Sequence, residues 1–247
     1  MHIGILQTGE FPEGVVARQG SYPAFFTRLL QRADPGVTTS TIDVEHGQLP
    51  SSPSAAQGWL VTGSRHGAYE DHPWIEPLMA FLRASVQERV PVVGVCFGHQ
   101  ILAQAMGGQV VKSDRGWGLG VHDYAPASTP PWAAELGAGW SGYAIHQDQV
   151  IRQPPDSTVV LRSEFCPYAA LAYGDPAAPT ALGVQPHPEY TGDLLDDMIA
   201  VRLNKVVPAD VVARAVSSRE RAVDPDPWAR TMMGFFRDAA ARRENAA

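Results

Sequence analysis

A strand breaks directly into a helix in the run VPVVGVCFGHQILAQAMGG, Val90 to Gly108. Apolar β-formers lead into Gly94-Val95-Cys96-Phe97-Gly98. Ile101, Leu102, Ala105 and Met106 then share one helix face until Gly107-Gly108 stops it. Such a unit belongs to a strand–helix–strand chain, with parallel strands and right-handed crossovers.

The flanking sequence extends that pattern. Strands are expected at His2–Thr8, Thr38–Val44, Gly58–Gly63 and Val90–Cys96, with runs apolar enough to be buried on both faces. Between Pro73 and Arg89, residues Ile75, Leu78, Met79, Leu82 and Val86 define a helix face, and Asp71 and Pro73 suit its start. From Gly108 to about Ser163 the strands are shorter and separated by turns, as in an antiparallel insertion or sheet edge. Further strands follow in AALAYG and ALGVQPH.

After Tyr190 the pattern becomes helical, over Asp193–Val206 and Pro208–Arg219. In the last helix Asp226-Pro227 serve as cap and first turn, and Trp228, Met232, Phe235, Phe236 and Ala239 form a face docked on the sheet. The tail Ala239–Ala247 is expected to fray. The expectation is an α/β fold with a mostly parallel central sheet flanked by helices. Residues 1–190 form the domain, and 191–247 a helical extension packed on it.

A net charge of −7 with no basic run excludes attraction to nucleic acid or anionic membrane. No segment approaches the ~20 apolar residues that span a bilayer, and the N-terminus carries no positive leader. Two cysteines, Cys96 and Cys166, are no disulfide framework. A reduced, cytoplasmic setting follows, in which a thiol stays free for chemistry.

Gly94-x-Cys96-x-Gly98 is the cysteine form of a nucleophile elbow. Side chains two residues either side of the nucleophile would collide with backbone, hence glycine. The corner places the sulfur at the carboxyl end of a parallel strand, where open α/β sheets bind ligands, and at a helix N-terminus, whose partial positive charge favours thiolate. The bland alternative is a buried structural cysteine.

A thiolate nucleophile needs a group that gives and takes a proton. Of eight histidines, His187 in GVQPHPEY fits best. Pro188 forces it toward extended geometry, so Glu189 at i+2 lies on the same side and can orient the imidazole.

GVCFGHQ together with GVQPHPE resembles the class I glutamine amidotransferases, over roughly His2 to Tyr190. Cys96 and His187 are 91 residues apart (187 − 96), in keeping with that family. WLVTGSR is similar to the family's glycine turn and GYAIHQDQV to its His-x-Asp segment. The resemblance implies a flavodoxin-like architecture and a Cys96-His187-Glu189 triad. It implies an oxyanion hole from the Phe97 N–H and that of Gly63 or Ser64, with Gln100 contacting substrate. His146 is a further candidate substrate contact, or a satisfied strand-end histidine. Two details differ: the turn is Thr62-Gly63-Ser64 where many members have Gly-Gly-Pro, and Pro186 stands where an aromatic residue is common.

The activity so implied is cleavage of a γ-glutamyl amide through a cysteinyl thioester, which requires no metal or organic cofactor. The substrate would be glutamine, with ammonia passed to a separate synthetase subunit, or a γ-glutamyl peptide. An idle fold acting as a binding or regulatory subunit is the third reading. His66, Glu70, Asp71 and His72 suit a metal by type, but their spacing matches no known site and they are expected to border the pocket. His99 is expected on the outer side of its helix, Cys166 as a buried inert thiol, and Trp117 and Trp140 as packing aromatics.

Overall fold

The structure, a computed structural model, describes residues 1–245. In chain order the elements are β1 (His2–Gln7), α1 (Glu13–Gln19), α2 (Tyr22–Ala33), β2 (Thr38–Asp43), β3 (Gly58–Val61), α3 (Ile75–Gln87), β4 (Val92–Val95), α4 (Phe97–Ala105) and β5 (Gln109–Lys112). Next come β6 (Gly118–Pro126), β7 (Trp140–His146), β8 (Asp148–Arg152), β9 (Ser157–Arg162), β10 (Ala170–Tyr173) and β11 (Ala181–Val184). The chain closes with α5 (Gly192–Met198), a π-helical stretch Ile199–Leu203, α6 (Asn204–Val206), α7 (Ala209–Ser218) and α8 (Asp226–Glu244).

Nine strands form one sheet in the order β2-β1-β3-β4-β11-β10-β9-β6-β7. The first five are parallel, and the remaining pairings are antiparallel. β5 and β8 form a separate antiparallel ribbon. The order of the parallel half, with the direction of winding reversing between β1 and β3, is that of a flavodoxin-like sheet, and the crevice at such a reversal is where ligands bind.

Alternation along the central strands explains their unbroken apolar runs. Ile3, Ile5, Leu60, Val93, Val95 and Val184 face one core with Phe26 and Leu30 of α2 and Met232 and Phe236 of α8. Leu6, Trp59, Val61 and Val92 face the other, with Leu78 and Leu82 of α3 and Ile101 and Leu102 of α4. A side chain at Gly58 would overlap Phe236, and one at Gly4 would overlap the Trp59 ring, so these glycines let helix and indole seat on the strands.

Three local expectations need correction. β2 is a strand but is not buried: its residues TTSTID are largely exposed, because it is the sheet edge and carries polar side chains. Helix α3 starts at Ile75 with Trp74 at its cap position, so Asp71 and Pro73 lie in the preceding turn. Helix α8 starts at Asp226 with Pro225 at the cap position, and it continues through the expected fraying point at Ala239 to Glu244. Of that tail, residues 246–247 lie outside the described residues. No helix among the described residues is long and apolar enough to cross a membrane.

Phe236 is fully buried against β3. Phe236→Ala is expected to destabilise the chain by about 3–5 kcal/mol, read as a lower urea midpoint with an unchanged slope.

Candidate active site

The parallel pairing of β4 with β11, Val95 opposite Val184, brings two carboxyl ends side by side. The Cys96 N–H donates to the Val184 carbonyl at 2.8 Å, extending the ladder to the corner itself. Cys96 then takes φ 55° and ψ −105°, a left-handed conformation that costs a non-glycine residue about 1–3 kcal/mol. The corner closes only because its flanks are bare. A Cβ on Gly94 would overlap the Gly98 carbonyl, and one on Gly98 would overlap the Val61 carbonyl of β3.

Beyond β11 the chain bends at Gln185-Pro186. His187 forms an isolated bridge in which its N–H donates to the Tyr143 carbonyl of β7 at 2.8 Å. Pro188-Glu189 form a turn rather than the expected extended run. The His187 Nδ1–H donates to Glu189 Oε1 at 2.7 Å, with both side chains almost wholly buried. The Cys96 sulfur lines the same cleft as this imidazole, and its thiol lies 4.0 Å from the Ile145 carbonyl. With Nδ1 held by Glu189 in the tautomer assigned by this network, Nε2 is the ring nitrogen left for a further partner. Burial opposes charge on His187, but the Glu189 carboxylate and the Cys96 sulfur together push it up to about 10. Cys96 and, 91 residues further on, His187 with Glu189 thus lie beyond the carboxyl ends of two neighbouring strands.

The proposed oxyanion donors lie close by. Gly63 is near enough that a Cβ there would sit 3.3 Å from His187 Cε1. No backbone carbonyl among the described residues accepts from the N–H of Gly63, Ser64 or Phe97. A threonine latch holds this turn: Thr8 N–H donates to Thr62 Oγ1 at 3.0 Å, and Thr8 Oγ1–H to the Thr62 carbonyl at 3.0 Å. It ties the ends of β1 and β3 where the winding reverses.

A cleft of about 260 Å³ opens over these groups. Gln100 and His146 both line it. The Gln100 amide donates to the Asp148 carbonyl at 2.9 Å and to Gln185 Oε1 at 3.1 Å, which occupies both its N–H bonds and leaves its oxygen for a ligand. His146 pairs Nδ1 with the Asp148 carbonyl at 3.1 Å, while its buried Nε2 has no partner among the described residues. Burial lowers His146 to about 3, so it is a neutral imidazole.

Several wall residues were missed in the sequence. Tyr190, directly after the His-Pro-Glu run, stacks on the His187 ring at 3.8 Å and 4°. Its hydroxyl donates to the Tyr22 hydroxyl at 3.2 Å, and Tyr22 stacks on Phe11. The aromatic next to the motif was a usable hint for Tyr190. Arg202 reaches the cleft from the π-helical stretch after α5, which sequence periodicity does not reveal.

Trp117 lines the cleft rather than only packing, while Trp140 does pack, edge-on to Trp228. His99 is not on an outer face. It is fully buried beside Gly183 of β11, where a Cβ would overlap its ring, and burial lowers it to about 4. Helix α4 lies between the sheet, α3 and the β5–β8 ribbon and has almost no solvent side. Cys166 is buried, its thiol raised to about 12 by burial. His66 and Glu70 do border the cleft.

A mixed α/β sheet of flavodoxin-like order, with a cysteine elbow and a buried His–Glu pair at its carboxyl edge, defines a class of protein by its site. A family model described as "Glutamine amidotransferase class-I" matches residues 51–203, and the chain belongs to that family. It is 30% identical to γ-glutamyl peptidase 5 of Arabidopsis thaliana, covering 68% of each chain. It is 29% identical to a subunit of the glutamine-hydrolyzing GMP synthase of Halobacterium salinarum, covering 71% of this chain and 87% of the relative. A solved glutamine amido transferase from Methylobacillus flagellatus shares the fold, with a TM-score of 0.73 at 24% identity, over 98% of this chain and 94% of that one.

Because the folded His187 value lies above the unfolded value of about 6.5, its contribution to stability is full below that pH and fades as pH rises through about 10. Glu189→Gln is expected to flatten that decline, measured by urea unfolding between pH 6.5 and 10. Gly98→Ala is expected to cost at least about 1–3 kcal/mol by overpacking the corner and to slow iodoacetamide labelling of Cys96.

Proposed function

We propose that the chain hydrolyses the γ-amide bond of glutamine or of a γ-glutamyl compound, with Cys96 as nucleophile. The observation that carries this reading is that Cys96 and the buried His187–Glu189 pair stand beyond the ends of adjacent parallel strands, with Cys96 and His187 lining one cleft. Cys96 attacks the γ-carbonyl carbon as His187 holds the proton. The oxygen gains negative charge, and the N–H of Phe97, with that of Gly63 or Ser64, is placed to stabilise it. His187 gives its proton to the leaving nitrogen as the C–N bond breaks, and a γ-glutamyl thioester remains. Water then attacks the thioester, His187 takes a proton from it, and glutamate leaves with Cys96 regenerated. Glu189 orients the imidazole and stabilises its cationic form, and stacking on Tyr190 holds the ring plane.

The cleft suits a zwitterionic amino-acid head. Lys112 and Arg202 offer cations to an α-carboxylate, and Glu10 and Asp148 offer carboxylates to an α-ammonium. Glutamine is the first substrate proposed, and a separate synthetase subunit would take the ammonia. The Halobacterium relative, named as one subunit of a glutamine-hydrolyzing synthase, supports that arrangement. The γ-glutamyl peptidase names of several Arabidopsis relatives support a second reading, in which a γ-glutamyl peptide is cleaved and no acceptor is required.

Glutamate release from glutamine and from a panel of γ-glutamyl dipeptides checks both readings. Cys96→Ser is expected to lower kcat/KM for the best substrate by on the order of 10⁴-fold or more while the circular dichroism spectrum is unchanged. Glutamate release from none of these compounds by the wild type would sink the hydrolytic reading.

A further inference from the structure

At the cleft mouth, beyond the glycine turn, two imidazoles converge on one carboxylate oxygen. His66 Nδ1 lies 3.3 Å and His72 Nε2 2.8 Å from Glu70 Oε2. The three donor atoms all lie within 4.8 Å of one another. We propose that His66, Glu70 and His72 bind one divalent transition-metal ion of the zinc type at the wall of the cleft.

Two imidazole nitrogens and a carboxylate oxygen are a donor set that zinc accepts, and ligands about 2.0–2.1 Å from a tetrahedral ion are separated by roughly 3.3 Å. The separations on either side of Glu70 Oε2 are close to that, so small side-chain shifts admit the ion. Three protein ligands leave a fourth position for water or a ligand group.

The rings are also held from outside. His66 Nε2 lies 3.0 Å from Glu45 Oε1, the carboxylate–histidine arrangement that orients a metal-binding imidazole. The His72 ring stacks on Trp74 at 8°, and the two imidazoles meet edge to face with centroids 4.2 Å apart. Glu45 also accepts from Arg65 Nη2 at 3.1 Å, and Arg65 Nε lies 3.4 Å from His66 Nε2. Glu45 therefore offsets the one cation next to the site. His66 N–H donates to Ser64 Oγ at 3.1 Å, so the ion-binding loop is tied to the glycine turn.

This assignment rests on the loop alone and stands apart from the hydrolytic reading. Zinc titration by calorimetry on Cys96→Ser, which removes the thiol as a competing ligand, is expected to give one zinc per chain. Adding His72→Ala or His72→Gln is expected to weaken binding at least about 100-fold, and adding Glu45→Gln about 10-fold. His72 is a partly exposed loop residue, so both variants are expected to keep the wild-type circular dichroism spectrum. Cobalt loaded into Cys96→Ser should show tetrahedral visible bands without thiolate charge transfer. Absence of stoichiometric zinc in Cys96→Ser, or unchanged affinity on adding either His72 variant, overturns the assignment.

Discussion

The register between β4 and β11 sets the position of everything in the site. Parallel pairing of Val95 with Val184 ends both strands at one level. The bond from Cys96 N–H to the Val184 carbonyl then fixes the corner against the strand that leads to His187. A slip of one residue would turn every side chain of β11 to the opposite face. That slip is opposed by burial of β11 on both faces, with Leu182 and Val184 in one core and Ala181 in the other. The sheet's hydrophobic packing therefore fixes the Cys96–His187 relation.

Electrostatics then follows from burial. In water, a histidine beside a carboxylate would gain little. Here both side chains are almost fully removed from solvent, so the Glu189 carboxylate acts on His187 at short range with little screening. Desolvation works against the imidazolium, and the Glu189 carboxylate with the Cys96 sulfur outweighs it. His146 and His99 show the contrast: equally buried, lacking a carboxylate partner, they are held neutral. Burial alone therefore does not distinguish His187 from its neighbours; the residue at i+2 does, its carboxylate reaching Nδ1 across the turn at Pro188-Glu189.

That contrast also explains what was legible in the sequence. The elbow could be read because Gly94 answers a collision with the Gly98 carbonyl set by local geometry, and Gly98, whose own collision is with Val61 of β3, stands in the same short motif. The His-Pro-Glu run could be read from its short spacing, although a turn rather than an extended run joins the pair. The parallel strands declared themselves through unbroken apolar runs, although Thr38–Asp43 shows that strand propensity does not say whether a strand is central or at the edge. His99 was misplaced because helical periodicity finds the most apolar face and presumes that the opposite face meets solvent, while α4 is covered on both. Tyr190, Trp117 and Arg202 reach the cleft from a strand end, a loop and a π-helical stretch. Their convergence is tertiary, and no local pattern encodes it.

The parts that were legible and the parts that were not correspond to two layers of the site. The proposed chemistry sits on strand ends, where two packed cores and the threonine latch leave little freedom. The cleft walls come from the loop after β3, the β5–β8 ribbon and the helical segment after Tyr190. A wall can change in composition without moving Cys96 relative to His187, since none of the wall segments lies in the β4–β11 ladder. Such a division is consistent with relatives of similar identity bearing the names of peptidases and of one synthase component. In this chain the walls bring opposite charges and a pair of histidines to the cleft mouth. In the proposed reaction, ligand selection there follows from charge placement around Cys96, whose position the core has already fixed.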